Sequence, residues 1–387
     1  MSLETLSHNL LLLRRTRGWS QDRLAREAGI SRLAYVNIER QLSEPRAQTV
    51  RALANALEVK VPDLLAPAFA LKHVRFRSLK RLKGREQVLV DVGRKLRDFV
   101  ELEQLLGEHQ TTGFDELSKL ATKEKRHGMP HLASVVRKHF GLSDREPVHD
   151  ICGLLEHAGV KVLSVSMATD AFLGLSVAQE DGGPAVVVNT WHRLPVEYWI
   201  FSAAHELGHL LLHLQAYHVD QQGHDSDEEH EADSFASHFL MPESVFRREW
   251  GDSIGLPLFD RVLKVKRVFR VSWRTVLYRL TESMPNADQR KQLWRQFVTD
   301  YQSRNRKVQL TMDGPDGVGV QVYGALSQWH KVGPEPAAMD AHDFQGDRLW
   351  RLVRQATLAR QISMSRAAEI LGLELMDMRR LVQSWMS

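Results

Sequence analysis

The chain has 387 residues, 43% of them hydrophobic and 26% charged, a balance that gives a globular protein room for two or three domains. Its one cysteine, Cys152, excludes a disulfide scaffold and any metal site built mainly on thiolates, and no apolar run approaches a membrane span or the core of a secretion signal; a cytoplasmic setting is expected. Lys and Arg outnumber Asp and Glu by 20 to 10 in the first hundred residues and trail by 32 to 38 in the rest, so the N-terminal end is suited to a polyanion.

Residues 1–66 carry apolar positions at three- and four-residue spacing, broken at Gly18, Gly29, Ser43–Pro45 and Pro62, which predicts five short helices. Within them, "QDRLAREAGISRLAYVNIER" (Gln21–Arg40) reads as two helices around a tight turn. Leu24 and the small Ala25 face inward, Gly29 takes a left-handed turn, Ile30 plugs it, and Ser31 caps the second helix. That layout places Arg32, Leu33, Tyr35 and Asn37 on or near an outer face able to meet base edges, with Ser31 at its start and Gln21 near a phosphate. The stretch resembles the Cro/repressor (XRE) class of helix-turn-helix domains over residues 7–65. It departs at Arg40-Gln41-Leu42, where the class usually has a glycine. The resemblance implies binding to double-stranded DNA, and a palindromic operator would call for a homodimer.

Lys72 to Arg85 holds seven Lys or Arg and no acid, which suits either extra phosphate contacts or a solvated face. A helical run from about Gln87 to His109 and a polar stretch follow, and together they read as a connector. From Pro130 come two helices ended by Gly141 and Gly159. The β-branched runs "VKVLSVSM", "FLGLSVAQ" and "AVVVN" then predict a small sheet. A long apolar helix, "PVEYWIFSAAHELGHLLLHL", starts at Pro195. An acidic loop leads from it to the helix "SFASHFLM", ended by Pro242.

On that long helix His205 and His209 lie one turn apart, so both imidazoles can reach one ion, with Glu206 leaning over its open side. Buried beside Ile200, Phe201, Leu207 and Leu210, two histidines and a carboxylate need partners, and a metal supplies one. Glu229 or Glu231 can complete the ligand set but not both, since they point about 200° apart on a helix. Glu229 is favoured because it pairs with Asp233, which can hold a ligand histidine from behind. Leu212 and Gln215 stand where a three-histidine zinc pattern needs glycine and histidine. His213 is read as packing behind the ligands. His230, His238 and Tyr217 are candidates for stabilising an oxyanion, and "FLGLSVAQ" could hold an extended substrate along its edge.

The blocks "AAHELGHLLLH" and "EHEADSFASHFLMP" resemble the ImmA/IrrE family of metallopeptidases, over roughly 130–285. The resemblance implies a zincin-like fold, a Zn2+ ion held by His205, His209 and Glu229, and Glu206 as general base. It also implies a repressor or antitoxin-like protein substrate, which family members cleave or otherwise inactivate. In the tail, "VSWRTVLYRL" and "ISMSRAAEILGLELMDMRRLV" each look like a helix-turn-helix. They are read as packing units that leave Arg274, Arg279, Arg379 and Arg380 facing solvent.

The chain is therefore expected to be mainly α with a small β-sheet (α+β). A five-helix helix-turn-helix domain would span 1–66 and a basic, partly helical linker 67–129. A zincin-like metallopeptidase domain would span 130–285 and a mostly helical region of unknown role 286–387. The function expected is that of a DNA-binding zinc endopeptidase regulating transcription, or of a regulator whose zincin-like domain senses a ligand or partner without significant proteolysis.

Overall fold

A computed structural model describes residues 3–65, 71–78, 85–108, 113–169, 172–217, 226–282, 284–305, 310 and 335–386. The chain divides into two compact units. The first takes Met1–Leu71 and Leu82–Arg97, the second Lys72–Arg81 and Asp98–Ser387.

The first unit holds helices α1 (Leu3–Thr16), α2 (Gln21–Glu27), α3 (Arg32–Glu39), α4 (Ala47–Ala56) and α5 (Val61–Leu65), with the first part of α6 (Arg85–Leu106). Their apolar stripes meet in one cluster around Leu6, Leu10, Leu24, Tyr35, Leu53 and Leu57. Ser20 and Ser31 cap α2 and α3, each hydroxyl accepting a backbone N–H at 3.1 Å. Where the class usually has glycine after α3, Gln41 itself takes a left-handed backbone (φ 63°), and Leu42 N–H closes the turn onto the Asn37 carbonyl at 2.7 Å.

The second unit is built on a four-stranded sheet of β1 (Val74–Ser78), β2 (Lys161–Val165), β3 (Phe172–Val177) and β4 (Ala185–Asn189), in the order β1-β3-β4-β2. Strands β1 and β3, and β3 and β4, are antiparallel, while β2 and β4 are parallel. Two expectations fail here. The basic segment read as part of a linker supplies an edge strand of this sheet. Strand β3, "FLGLSV", has neighbours on both sides, so its edges are taken and no substrate can add there as the fold stands.

Before the sheet strands β2–β4 come α7 (Phe114–Glu124), α8 (Met129–His139) and α9 (Ile151–His157). Helix α10 (Val196–Leu212) packs on β3 and β4, and α11 (Ser226–Leu240) packs on α10. Gly208 permits that closeness. A Cβ there would come 3.1 Å from the Phe235 ring and 3.4 Å from Ala232 Cα. The acidic stretch before "SFASHFLM" is helix rather than loop, because α11 begins at Ser226 and its first turn carries Asp227, Glu228 and Glu229, where the helix dipole favours negative charge.

Seven further helices follow among the described residues: α12 (Glu243–Gly251), α13 (Leu258–Phe269), α14 (Trp273–Glu282), α15 (Ala287–Arg304), α16 (Arg348–Leu358), α17 (Met364–Leu371) and α18 (Leu375–Met386). The possible strand "KVQLTM" falls outside the described residues except for Leu310. Arg279 corrects the tail reading. It is buried on α14, bonded to Glu243 and Glu282 at 2.5 Å each, so its charge is met inside the protein; Arg379 and Arg380 are exposed.

Lys266 on α13 is buried against Glu197 of α10, with the Glu335 carboxylate 3.5 Å away. Burial pushes the Glu335 carboxyl up, against the pull of Lys266. Removing one partner of such a cluster leaves an uncompensated charge. Lys266→Met is expected to cost roughly 3–5 kcal/mol, read as a lower urea midpoint by tryptophan fluorescence. Adding Glu197→Leu to it should recover a large part of that loss.

Candidate functional site

Helix α10 sets His205, Glu206 and His209 at the buried face where α11 crosses, and all three are fully inaccessible. The two imidazole Nε2 atoms face each other at 2.9 Å. Glu229 of α11 brings one carboxylate oxygen to 3.3 Å from His205 Nε2 and the other to 3.3 Å from His209 Nε2. Donor atoms of the three residues thus lie within 4.8 Å of one another.

These spacings fit a shared cation. A tetrahedral ion with bonds of roughly 2.0–2.2 Å separates its ligand atoms by about 3.3–3.6 Å, which the two carboxylate contacts meet and the 2.9 Å imidazole pair would open slightly to reach. Desolvation, then the neighbouring His205, hold His209 well below the usual histidine range, which favours the neutral ring that metal ligation needs. Burial alone would raise the Glu229 carboxyl, but its bonds to His205 and His209 outweigh this and keep it ionised. Two buried imidazole nitrogens and a carboxylate converging this closely form a donor set that could hold a metal ion.

Each donor is fixed from behind. His205 Nδ1 meets Asp233 Oδ1 at 2.7 Å. His209 Nδ1 meets His213 Nδ1 at 2.9 Å, and His213 Nε2 meets Glu231 Oε2 at 2.9 Å. Glu231 in turn pairs with Lys125 at 2.6 Å. Glu231 therefore lies at the far end of a relay behind His209, on the other side of the helix from Glu229, as the 200° offset requires.

Glu206 is held from β3. The Ser176 hydroxyl donates to Glu206 Oε2 at 2.7 Å, and the Tyr217 hydroxyl donates to Ser176 at 2.6 Å. Burial, and then the charge of Glu206, push the Tyr217 phenol well above its ordinary value, so it stays a donor. Of the three oxyanion candidates, Tyr217 is thus spent on Ser176. His238 bonds Arg279 at 3.1 Å, facing the later helices, and His230 is exposed. Sequence reasoning missed Ser176 and Arg75. The Arg75 guanidinium, on β1, binds Glu228 and, at 3.1 Å, Glu229. Ser176 is the one hydroxyl in the otherwise apolar strand "FLGLSV", a local signal that could have singled it out. Nothing local marks Arg75.

In the first unit Ser31, Arg32 and Leu33 are exposed, Leu33 at 70%, and Asn37 is half-buried on the same face. Gln21 is tied by its amide to Glu39 at 2.9 Å, and Glu39 also takes Arg14 in a bidentate pair at 2.8 Å. Tyr35 overturns the expectation that it meets DNA. It is 0% exposed, in the core between the helices. Two residues span about 200° of helix, so Leu33 and Asn37 point out only if Tyr35 points in.

Two outcomes follow. Elemental analysis of the purified chain should find one divalent ion per chain, lost in His205→Ala and retained in Glu206→Gln, with Asp233→Asn weakening affinity by about 10–100-fold. Tyr35→Ala should lower the stability of the helix-turn-helix by about 3–5 kcal/mol, whereas Leu33→Ala should shift its thermal melt little.

Residues 155–281 match the family model described as IrrE N-terminal-like domain, a peptidase family. Residues 10–64 match the model described as helix-turn-helix. Comparison with curated proteins gives no match. Among the described residues no helix is long and apolar enough to cross a membrane. The chain carries an XRE-type helix-turn-helix domain at residues 10–64 and an IrrE/ImmA-like, metallopeptidase-like domain at residues 155–281.

Proposed function

We propose that this chain is a DNA-binding zinc endopeptidase that regulates transcription by cutting a repressor or antitoxin-like protein. The observation that carries the reading is the convergence of His205, His209 and Glu229 donor atoms within 4.8 Å, with Glu206 adjacent on the same helix. A zinc ion bound there would lower the pKa of a water to around 7 and polarise the scissile carbonyl.

The protein's own groups do the rest. Glu206 accepts the proton of the attacking water and returns it to the leaving amine. Its carboxylate must keep one orientation through both transfers, and the Ser176–Tyr217 pair supplies that by fixing Oε2. Asp233 and the His213–Glu231 pair hold the ligand imidazoles with their Nε2 atoms inward. In the first unit, Arg32 and Asn37 can make bidentate contacts to base edges, with Leu33 giving apolar contact in the major groove.

One observation favours a second reading, in which the peptidase-like domain senses a partner and cuts little. The edge of β3, where an extended peptide would lie, is covered by β1. Glu206→Gln separates the two. It should lower cleavage by about 10²–10⁴-fold while leaving metal content and DNA affinity unchanged. If the regulated transcript responds normally in that variant, proteolysis is not the function. For DNA, Arg32→Ala with Asn37→Ala should abolish the preference for specific over random duplex in gel-shift titrations and leave the weak, salt-sensitive binding in place.

A further inference from the structure

Strand β1 lies outside the segment matched to the peptidase family, 155–281, yet it completes that domain's sheet at its most consequential edge. Its neighbour β3 is the strand that touches Glu206. Besides the Ser176 bond, a Cβ on Gly174 would sit 3.3 Å from Glu206 Oε1. The register sets Arg75 opposite Ser176 and Arg77 opposite Gly174, so β1 runs antiparallel at the level of Glu206.

The pairing is regular from Val74 to Arg77, and the register shifts between Arg77 and Ser78. Ala178 N–H donates to the His73 carbonyl at 3.0 Å. Bonded pairs alternate along an antiparallel ladder, so Arg75 and Ser176 form the next bonded pair. Cross-strand partners share a face, which turns Arg75 toward the site, where its guanidinium meets Glu228 and Glu229. Upstream, the Asp181 carboxylate receives the backbone N–H groups of both Lys72 and His73. An extended peptide presented to Glu206 along β3 would need this same edge, because β4 holds the other one.

We propose that β1 is an internal pseudosubstrate. It occupies the peptide-binding edge of β3, and the true substrate is an extended segment with Arg or Lys where Arg75 sits, admitted when β1 withdraws. As a statement about binding it stands on the sheet geometry; as a statement about turnover it rests on the peptidase reading. A tethered strand competes at an effective concentration in the millimolar range, so a free peptide should scarcely bind the intact chain.

The test uses the full chain carrying Glu206→Gln, so that nothing is cut, and a fluorescent peptide copying Leu71–Arg81. Replacing His73–Ser78 by a Gly/Ser segment should tighten peptide binding at least tenfold by anisotropy, and a peptide with glutamate in place of Arg75 should lose that gain. Arg75→Ala alone, which keeps the strand, should speed hydrogen exchange of the β1 amides at least tenfold while α10 stays protected. Equal peptide binding by the replaced and unaltered chains, with α10 protected in both, overturns the proposal. So does β1 exchange as slow as that of α10 in Arg75→Ala. With Glu206 restored, the replaced chain should cut an unfolded protein at least tenfold faster. Tighter peptide binding without any cutting would sink the peptidase reading and leave the pseudosubstrate edge standing.

Discussion

Two buried imidazole nitrogens and a carboxylate crowded together could hold a positive charge among them. His205, His209 and Glu229 form that arrangement, and much of the second unit can be understood as building it. Helix α10 must be buried to exclude water, so it is apolar nearly all round and lies between the sheet and α11. Gly208 must lack a side chain for α11 to come near enough to deliver Glu229.

The groups behind the donors turn a cluster into a directed site. A free imidazole presents either nitrogen. Here Asp233 fixes the far side of one ring, and His213, backed by Glu231 and Lys125, fixes the other. Glu206 shares α10 with the two histidines, but its carboxylate is oriented by a different element, Ser176 on β3.

What was readable in the sequence follows the range of each interaction. His205, Glu206 and His209 share one helix, and their geometry is dictated by four-residue spacing. Glu229 and Asp233 were accessible for the same reason, since one turn of α11 carries both. Tyr35 failed on the same rule applied too loosely: three alternate positions cannot all face out. Arg279 failed because a buried arginine is signalled only by its partners, Glu243 and Glu282, one of them 36 residues away. Arg75 was out of reach altogether. Its contacts to Glu228 and Glu229 span 153 and 154 residues, and they depend on a strand register that no local periodicity encodes.

The tail shows why the same layout need not mean the same chemistry. Ser363 caps α17 as Ser20 caps α2, Gly372 turns as Gly29 does, and Leu373 N–H reaches the Ala368 carbonyl at 2.8 Å as Ile30 N–H reaches Ala25 at 2.9 Å. Met378 is buried where Tyr35 is. The outer faces differ. Where α3 offers Arg32, Leu33 and Asn37, α18 offers Leu375, Met376 and Arg380, the last paired with Asp377 at 3.4 Å. Arg366, the counterpart of Arg23, is held by Asp98 and Glu101 at 2.9 Å each. A face that is apolar at its start and sets Arg380 beside an acid offers a phosphate less unpaired charge to neutralise. The backbone motif fixes where a recognition helix could stand, and the side chains on its exposed face decide whether it reads anything.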